Sequence, residues 1–243
     1  MSVPDRSDRM GNRLLNRLPR DEYTFLTRHE KTVSVAQGEE VYRQDDPGSL
    51  PHVYFPTSGV IALTVTMEDG KEVETATIGN EGMVGLPVAL GLDSSAFRAV
   101  SLVSGEGRQI PAPAFLKAMK PAGTLDRLMR RYTAFSLRYA NQMAACNLLH
   151  SVEMRMCRWL LMSHDRVEQD DFSLTHEFLA EILGVRRQTV SVAAGVLQAA
   201  GHLTYRRGVI RILNRKGLEA ASCECYGVTT TFYDRIMKNA PTM

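Results

Sequence analysis

The 243-residue sequence has no long apolar run, because no stretch approaches the roughly 18–20 apolar residues that a membrane helix requires. Its first residues contain no apolar segment of the kind found in signal peptides, so we expect a cytoplasmic protein with no membrane partner. An excess of charge of one sign is also missing, since 29 basic and 27 acidic residues give a net charge of +2. A surface that attracts a polyanion must therefore be local.

Cysteine is scarce, with four residues, and all four lie in the second half of the chain. Cys146 and Cys157 fall in segments with helical patterning, which argues against a secreted disulfide framework and predicts reduced thiols. Cys223 and Cys225 form a Cys-x-Cys pair, but a metal site generally needs three or four ligands. The six histidines show no ligand spacing, so the sequence predicts no metal site.

The sequence also lacks a nucleophile–base pair or a phosphate-binding loop of recognisable spacing. Ser163, His164 and Asp165 are adjacent, but adjacency at a helix end does not produce the geometry of a catalytic triad. We therefore expect that the protein is not an enzyme.

The residue pattern does change along the chain, from short β-type runs to helical spacing. From Lys31 to about Pro113, short β-type runs alternate with turn residues, which is typical of an antiparallel sandwich or barrel. Met67–Lys71 lies between two alternating runs and predicts a hairpin, because its Asp-Gly pair supplies the positive φ angles of such turns. After Pro121 the pattern is helical for about forty residues, and it can restart at Ser151 as an N-cap.

The long helical segment carries a narrow apolar stripe with a spacing of three and four residues. Its members are Leu125, Leu128, Tyr132, Phe135, Tyr139, Cys146 and Leu149. A stripe of this length is typical of a coiled-coil seam with a second copy of the chain, so a homodimer is favoured. The alternative is a long helix that packs on its own β-domain.

The segment from His176 to Gly195 reads HEFLAEILGVRRQTVSVAAG and fits a helix-turn-helix. Ala180 is small where the two helices cross, and Gly184 tolerates the left-handed backbone of the turn. Val190 fills the gap between the helices. Thr175 is a credible N-cap whose neighbouring backbone amides can face a phosphate. The alternative is an ordinary helical hairpin.

The residues on the outer face of the second helix can be inferred once its inward-facing residues are known. The residues at i, i+3, i+4 and i+7 are predicted to point inward, and they are Val190, Ala193, Ala194 and Leu197. Arg187, Gln188 and Ser191 then point outward near the N-terminal end that enters the major groove, where arginine reads guanine and glutamine reads adenine. Arg186 is better placed for a phosphate, and Thr189 completes the predicted contacts of this helix.

A local basic surface surrounds this helix in the sequence. No acidic residue occurs between Glu181 and Glu219, and the interval holds Arg186, Arg187, Arg206, Arg207, Arg211, Arg215 and Lys216. Two short runs around Arg206-Arg207-Gly208 predict a hairpin, or wing, whose tip arginines contact phosphate. The sequence thus predicts double-stranded DNA as the partner.

This arrangement resembles the Crp/Fnr family of bacterial transcription regulators from about Arg20 to Ile212. Leu183–Val190 is similar to the family's Gly-x-Ser/Thr-Arg-Glu-Thr-Val stretch, with Arg187 at the base-reading arginine and Gln188 in place of glutamate. The resemblance implies an α+β fold: a jelly-roll-like antiparallel β-roll (1–122), a long dimerisation helix (123–150) and a winged helix-turn-helix with a C-terminal tail (151–243). It also implies a homodimer on a palindromic operator, with RNA polymerase as a further partner.

Ile78–Gly85 resembles the glycine-rich stretch that leads into the family's phosphate-binding cassette, so Gly82, Gly85 and Arg98 are candidate effector-binding residues. In cyclic-nucleotide binders of the family, a glutamate that binds the ribose hydroxyl comes after the second glycine. This chain has Leu86 at that position. We therefore expect no cofactor. The alternatives are a cyclic-nucleotide-responsive regulator and a β-roll receptor whose helix-turn-helix contacts protein. No cysteine precedes Cys146, which excludes the family's N-terminal iron–sulfur cluster.

Overall fold

The computed structural model describes residues 11–167 and 170–238. The outer limits of the predicted domains, residues 1 and 243, lie outside the described residues. After a single 3-10 turn at Leu15–Arg17, helix α1 (Arg20–Thr27) leads into the strands. Among the described helices, none is both long enough and apolar enough to cross a membrane.

An antiparallel β-roll follows α1. In the described residues it comprises β1 (Lys31–Val35), β2 (Glu40–Tyr42), β3 (His52–Pro56), β4 (Val60–Thr66), β5 (Glu72–Ile78), β6 (Arg98–Val103) and β7 (Gly105–Pro111). One sheet has the order β1-β7-β3 and the other β2-β6-β4-β5. The predicted hairpin joins β4 to β5, and Gly70 in its turn has a φ of 80°. Short helices α2 (Leu86–Ala89) and α3 (Ala112–Ala118) follow β5 and β7.

The interior of the β-roll is filled by apolar side chains. Val53, Phe55, Met83, Ile110 and Phe115 are fully buried, and the rings of Phe55 and Phe115 lie 6.2 Å apart. Burial of such side chains stabilises the fold by about 1.5–3 kcal/mol each. The roll is therefore a packed platform for the helices that follow.

The long helix α4 (Thr124–Leu149) has 26 residues and begins beside α1. Both carboxylate oxygens of Glu22 accept hydrogen bonds from its first backbone amides, those of Thr124 and Leu125, at 3.0 Å. These amides have no partner within the helix, and a carboxylate there also complements the helix dipole. The helix ends at His150, which has an extended backbone.

The apolar stripe of α4 is buried within this chain. Its members from Leu125 to Cys146 pack against the β-roll and the C-terminal helix, and none is more than 8% exposed. The prediction that this stripe is a dimer seam is therefore wrong, because its own chain already covers it. Only its last member, Leu149, differs, at 79% exposed.

The winged domain is built on α5 (Val152–Val167), α6 (His176–Leu183) and α7 (Arg187–Ala199). Strands β8 (Asp171–Ser173), β9 (Leu203–Arg206) and β10 (Val209–Ile212) form an antiparallel sheet with the order β8-β10-β9. Trp159 and neighbouring residues of α5 share one core with both the helix-turn-helix and the β4 and β6 side chains Val60 and Leu102. These elements confirm the predicted α+β fold.

The segment after the wing, expected to be a tail, forms two helices, α8 (Arg215–Ala221) and α9 (Cys225–Lys238). Helix α9 packs along α4, where Phe135 lies against Phe232 and Tyr233. The Tyr233 hydroxyl donates to the Glu81 carbonyl at 2.7 Å. Helix α9 is therefore part of the framework that holds α4 on the β-roll.

Candidate DNA-binding surface

The turn between α6 and α7 has the geometry that the helix-turn-helix requires. The Thr175 hydroxyl accepts a hydrogen bond from the Phe178 amide at 3.2 Å, which caps α6. Gly184 ends the helix in the left-handed region, with a φ of 63°, and the Val185 amide then donates to the Ala180 carbonyl at 3.0 Å. A side chain at this φ would be strained, which explains the glycine.

The inward face of α7 agrees with the prediction from spacing. Its four buried residues are Val190, Ala193, Ala194 and Leu197. The first turn of α7 and its N-cap are exposed, and this set consists of Arg186, Arg187, Gln188 and Thr189. Ser191 is also exposed, and so are Val192 and Val196 further along the helix. The helix therefore presents polar groups at its N-terminal end and two valines behind them.

Arg187 and Ser191 each have a partner on α6 that sequence reasoning missed. Arg187 Nε lies 2.8 Å from Glu177 Oε1, in an exposed ion pair. Ser191 Oγ lies 2.8 Å from His176 Nδ1 and donates to the Arg187 carbonyl at 3.1 Å. Glu177 and His176 thus hold the predicted base-reading end of α7 in position.

His176 also reaches the wing. Its ring stacks on Tyr205 of β9, with centroids 4.0 Å apart and an interplanar angle of 19°. Burial and the charge of Arg187 lower the pKa of His176, so the neutral ring is favoured at neutral pH. One histidine therefore connects α6, α7 and the wing. A single residue creates no repeating pattern, so this role could not be predicted from the sequence.

The wing is a two-residue hairpin, as predicted. Arg206 pairs with Val209 across it, and the two turn residues, Arg207 and Gly208, have φ angles of 51° and 78°. Two successive positive φ angles are typical of a type I′ turn. Arg206 and Arg207 are exposed, and the Gly208 carbonyl accepts from the Leu174 amide at 2.8 Å.

The basic surface is smaller than the sequence suggested. Arg211 is paired with Asp171 at 2.6 Å, and Arg215 is paired with Asp165 at 2.7 Å. Arg186, Arg206, Arg207 and Lys216 have no carboxylate partner among the described residues. The positive charge available to a polyanion therefore lies at the N-terminus of α7, at the wing and, with Lys216, at the start of α8.

The candidate effector residues lie in the β-roll, but two of them have close neighbours. Arg98 Nε donates to Glu40 at 2.7 Å, and its Nη1 donates to Glu72 at 3.0 Å. Hydrogen bonds from Arg98 and Arg43 hold the pKa of Glu40 below its ordinary value. A Cβ atom at Gly82 would lie 2.2 Å from the Tyr132 hydroxyl of α4. Gly85 has a φ of 94° and begins α2, as a turn glycine.

Polar contacts join the winged domain to the β-roll, and sequence reasoning did not predict them. Arg166 Nη2 donates to Glu81 Oε1 at 2.5 Å, with Arg166 buried and Glu81 half-buried. Trp159 Nε1 donates to Glu74 Oε2 at 3.3 Å. Burial raises the pKa of Glu74 from its ordinary 4.5 to about 7, against the opposing charge of Arg158. These contacts fix the winged domain on the sheet that contains β4 and β5.

Comparison with known families and structures agrees with both parts of this fold. Residues 32–121 match the cyclic nucleotide-binding domain, and residues 154–221 match the Crp-like helix-turn-helix domain. A curated relative, the transcriptional regulator SdrP of Thermus thermophilus, is 26% identical over 199 residues, which cover 80% of this chain and 95% of SdrP.

Two solved structures have the same fold. FixK2 from Bradyrhizobium japonicum superimposes with a TM-score of 0.63 at 22% identity, covering 80% of this chain and 98% of FixK2. A CRP-family transcriptional regulator from Thermus thermophilus superimposes with a TM-score of 0.64 at 17% identity, covering 78% of this chain and 96% of that regulator.

The β-roll, the long helix and the winged helix-turn-helix define the class of this protein as a DNA-binding transcription regulator. The two matched domains, over residues 32–121 and 154–221, make it a Crp/Fnr-like transcription regulator.

Proposed function

We propose that this regulator binds a palindromic operator as a homodimer, with the N-terminal end of α7 from each protomer in the major groove. The observation that supports this most directly is the exposed set Arg187, Gln188 and Ser191 at the start of α7. Arginine can donate two hydrogen bonds to guanine, and glutamine can pair with adenine. The wing contributes Arg206 and Arg207, which we assign to phosphate together with Arg186 and the amides after Thr175.

We assign the dimer seam to the exposed face of α4, opposite the β-roll. Exposed residues recur there with alternating spacings of three and four, and they are Ala134, Leu137, Asn141, Ala144 and Leu148. Leu137 is 66% exposed and Leu148 is 86% exposed. A heptad of small and apolar residues is the pattern by which two parallel helices pair, and a polar residue such as Asn141 within it fixes register.

The domain organisation follows from this assignment. We assign residues 1–122 to the β-roll domain, 123–150 to the dimerisation helix and 151–243 to the DNA-binding domain with α8 and α9. We expect the protein to act in the cytoplasm, where its double-stranded DNA lies. A promoter-bound regulator of this kind has RNA polymerase as its second proposed partner.

We expect cyclic nucleotides to leave operator affinity unchanged. A cyclic phosphate at Arg98 would have to displace Glu40 and Glu72. Leu86 offers no group for a ribose hydroxyl, because its side chain neither donates nor accepts a hydrogen bond.

Genome-wide capture of DNA by the purified protein, with and without cyclic AMP or cyclic GMP, tests the proposal. The expected result is an inverted repeat with half-site centres about 34–36 Å, or one helical turn, apart. Affinity for the captured site should fall steeply with salt, because phosphate contacts release counterions. Affinity that is undetectable or independent of salt would contradict the proposal. Enrichment of a new site with a cyclic nucleotide would assign the effector to the β-roll after all.

A further inference from the structure

Three cysteines and one histidine meet where α4 ends and α9 begins. We call Cys146, His150, Cys223 and Cys225 the cysteine cluster. One donor atom from each residue, three Sγ atoms and one imidazole nitrogen, lies within 4.8 Å of all the others. Cys146 Sγ and Cys223 Sγ are 3.6 Å apart, and Cys225 Sγ is 3.6 Å from His150 Nδ1. The three cysteines are buried and the histidine is half-buried.

Two local patterns, far apart in the sequence, build this cluster. Cys146 and His150 are four residues apart at the end of α4, so their side chains lie on the same side of its last turn. Cys223 and Cys225 flank Glu224 where α9 begins. The packing of α9 against α4 brings the two pairs together. The sequence predicted no metal site because Cys223 and Cys225 alone supply too few ligands.

The spacing of the donor atoms fits one tetrahedral ion. Zinc–sulfur bonds of about 2.3 Å place two thiolates about 3.8 Å apart on a tetrahedron. The observed distance of 3.6 Å between Cys146 Sγ and Cys223 Sγ is close to this edge. A disulfide would instead require an S–S distance of about 2 Å.

The groups around the cluster also suit a metal site. His150 has one ring nitrogen toward Cys225, and its Nε2 lies 3.2 Å from Glu224 Oε2. A metal-bound histidine commonly has a carboxylate on its other nitrogen, which fixes the ring and increases its basicity. Gln142 Nε2 lies 3.1 Å from Cys225 Sγ and can donate a hydrogen bond to a thiolate there.

Positive charge is buried beside the thiols. Arg155 and Arg158 of α5 are both buried, and neither has a carboxylate within salt-bridge distance among the described residues. Three thiolates and one divalent ion carry a net charge of −1, which these guanidinium groups offset. Burying charge without such compensation is costly. The remaining cysteine, Cys157, is buried apart from the cluster, so it provides an internal comparison.

We propose that the cysteine cluster binds one divalent metal ion of the zinc class, through the sulfurs of Cys146, Cys223 and Cys225 and through His150 Nδ1. Each cysteine releases its thiol proton to solvent on binding, and no electron is transferred. Four protein donors leave no open coordination position, so the site is structural. Its position gives it a regulatory consequence. The chain leaves α4 at His150 and returns at Cys223, so the ion joins both ends of the segment that carries the winged helix-turn-helix to the end of the dimerisation helix.

Metal content of the purified full-length protein tests this proposal. One zinc ion per chain is expected after dialysis against zinc and removal of the excess. Replacement by cobalt(II) should give thiolate-to-cobalt charge-transfer bands and the intense ligand-field bands of a tetrahedral site. Cys223→Ser and Cys225→Ser should lose both signals, whereas Cys157→Ser is the matched control that keeps them.

A milder variant keeps the test valid if the cysteine variants fail to fold. The Glu224 side chain is 68% exposed, so Glu224→Gln should leave the fold intact. Loss of the carboxylate behind His150 should lower zinc affinity by about 10–100-fold, measured by competition with a chromophoric chelator. Glu219→Gln is the control, with unchanged affinity.

Two results would overturn the proposal. One is folded wild-type protein that binds neither zinc nor cobalt above the level of a protein without the cluster. The other is a Cys146–Cys223 disulfide, detected by mass spectrometry, in protein that binds no metal. Neither measurement involves DNA, so failure here is distinguishable from failure of the proposed operator binding.

Discussion

The guanidinium of Arg187, at the start of α7, is held by the carboxylate of Glu177 on α6, with Nε and Oε1 2.8 Å apart. The two side chains are 66% and 58% exposed. An exposed ion pair of this kind stabilises a protein by about 0–1 kcal/mol, so a base edge can displace Glu177 at little cost. The pair aligns the arginine before DNA arrives.

Glu177→Gln should strengthen binding to operator and to unrelated DNA alike. The substitution releases Arg187 and removes a negative charge next to the DNA surface. The increase should be at most about fivefold, which corresponds to about 1 kcal/mol. Fluorescence anisotropy with both DNAs at one salt concentration measures it. A selective loss of operator affinity would instead show that Glu177 positions Arg187 in the complex.

Arg187→Ala should weaken operator binding by roughly 1–3 kcal/mol and spare non-specific binding, because a base contact carries sequence information. Arg187→Lys keeps the charge but cannot form the bidentate contact with guanine, so it should lose nearly as much. Titrations of the operator and of a scrambled duplex separate the two effects. An equal loss on both duplexes would make Arg187 a phosphate contact.

Arg207→Asn should weaken binding to every sequence to the same extent. Asparagine tolerates the positive φ of 51° at this turn position, so the wing should keep its shape while it loses one charge. The slope of log affinity against log salt should fall by about 1. Arg211→Asn is the control on the same hairpin, because Arg211 is already paired with Asp171. Equal slopes for Arg207→Asn and wild type would remove Arg207 from the interface.

Leu137→Glu should convert the dimer into a folded monomer. The side chain is exposed within one chain, so the charge harms only the proposed seam. Light scattering after gel filtration gives the mass, and circular dichroism checks the fold. Leu149→Glu is the matched control, because Leu149 is also exposed on α4 but lies outside the heptad. If Leu137→Glu keeps the wild-type mass, the seam lies elsewhere.

Glu74 should make stability depend on pH. The folded protein holds the Glu74 proton more tightly than the unfolded chain, since its pKa is raised from 4.5 to about 7. Its contribution is therefore complete below pH 4.5 and is lost as the pH rises to about 7. Glu74→Gln should flatten the fall of the melting temperature over this range, whereas Glu106→Gln, at an exposed position, should not. A parallel fall in wild type and Glu74→Gln would exclude Glu74 as the cause.

Local periodicity was enough to predict the helix-turn-helix. Val190, Ala193 and Ala194 are buried by elements close in sequence, so their spacing records the buried face of α7 directly. The turns at Gly184 and Gly208 were also predictable, because each glycine occupies a backbone conformation that most residues avoid.

Contacts between distant segments were not predictable in this way. An apolar stripe on α4 indicates that another element packs against it. The spacing is the same whether that element is a second copy of the chain or the chain's own α9. The residues that do face outward, such as Ala134 and Asn141, are too small or too polar to stand out. The cysteine cluster was not predicted for the same reason, because the winged helix-turn-helix separates its two halves in the sequence.

The closeness of His150 to Cys225 has a consequence for how such regulators can diversify. Both ends of the intervening segment meet at one point, as they do in domains that tolerate insertion into a host protein. The segment between them is therefore an exchangeable module. A different DNA reader could replace it without altering α4, provided that it offers an apolar face to Val60 and Leu102 and polar partners to Glu74 and Glu81 of the β-roll.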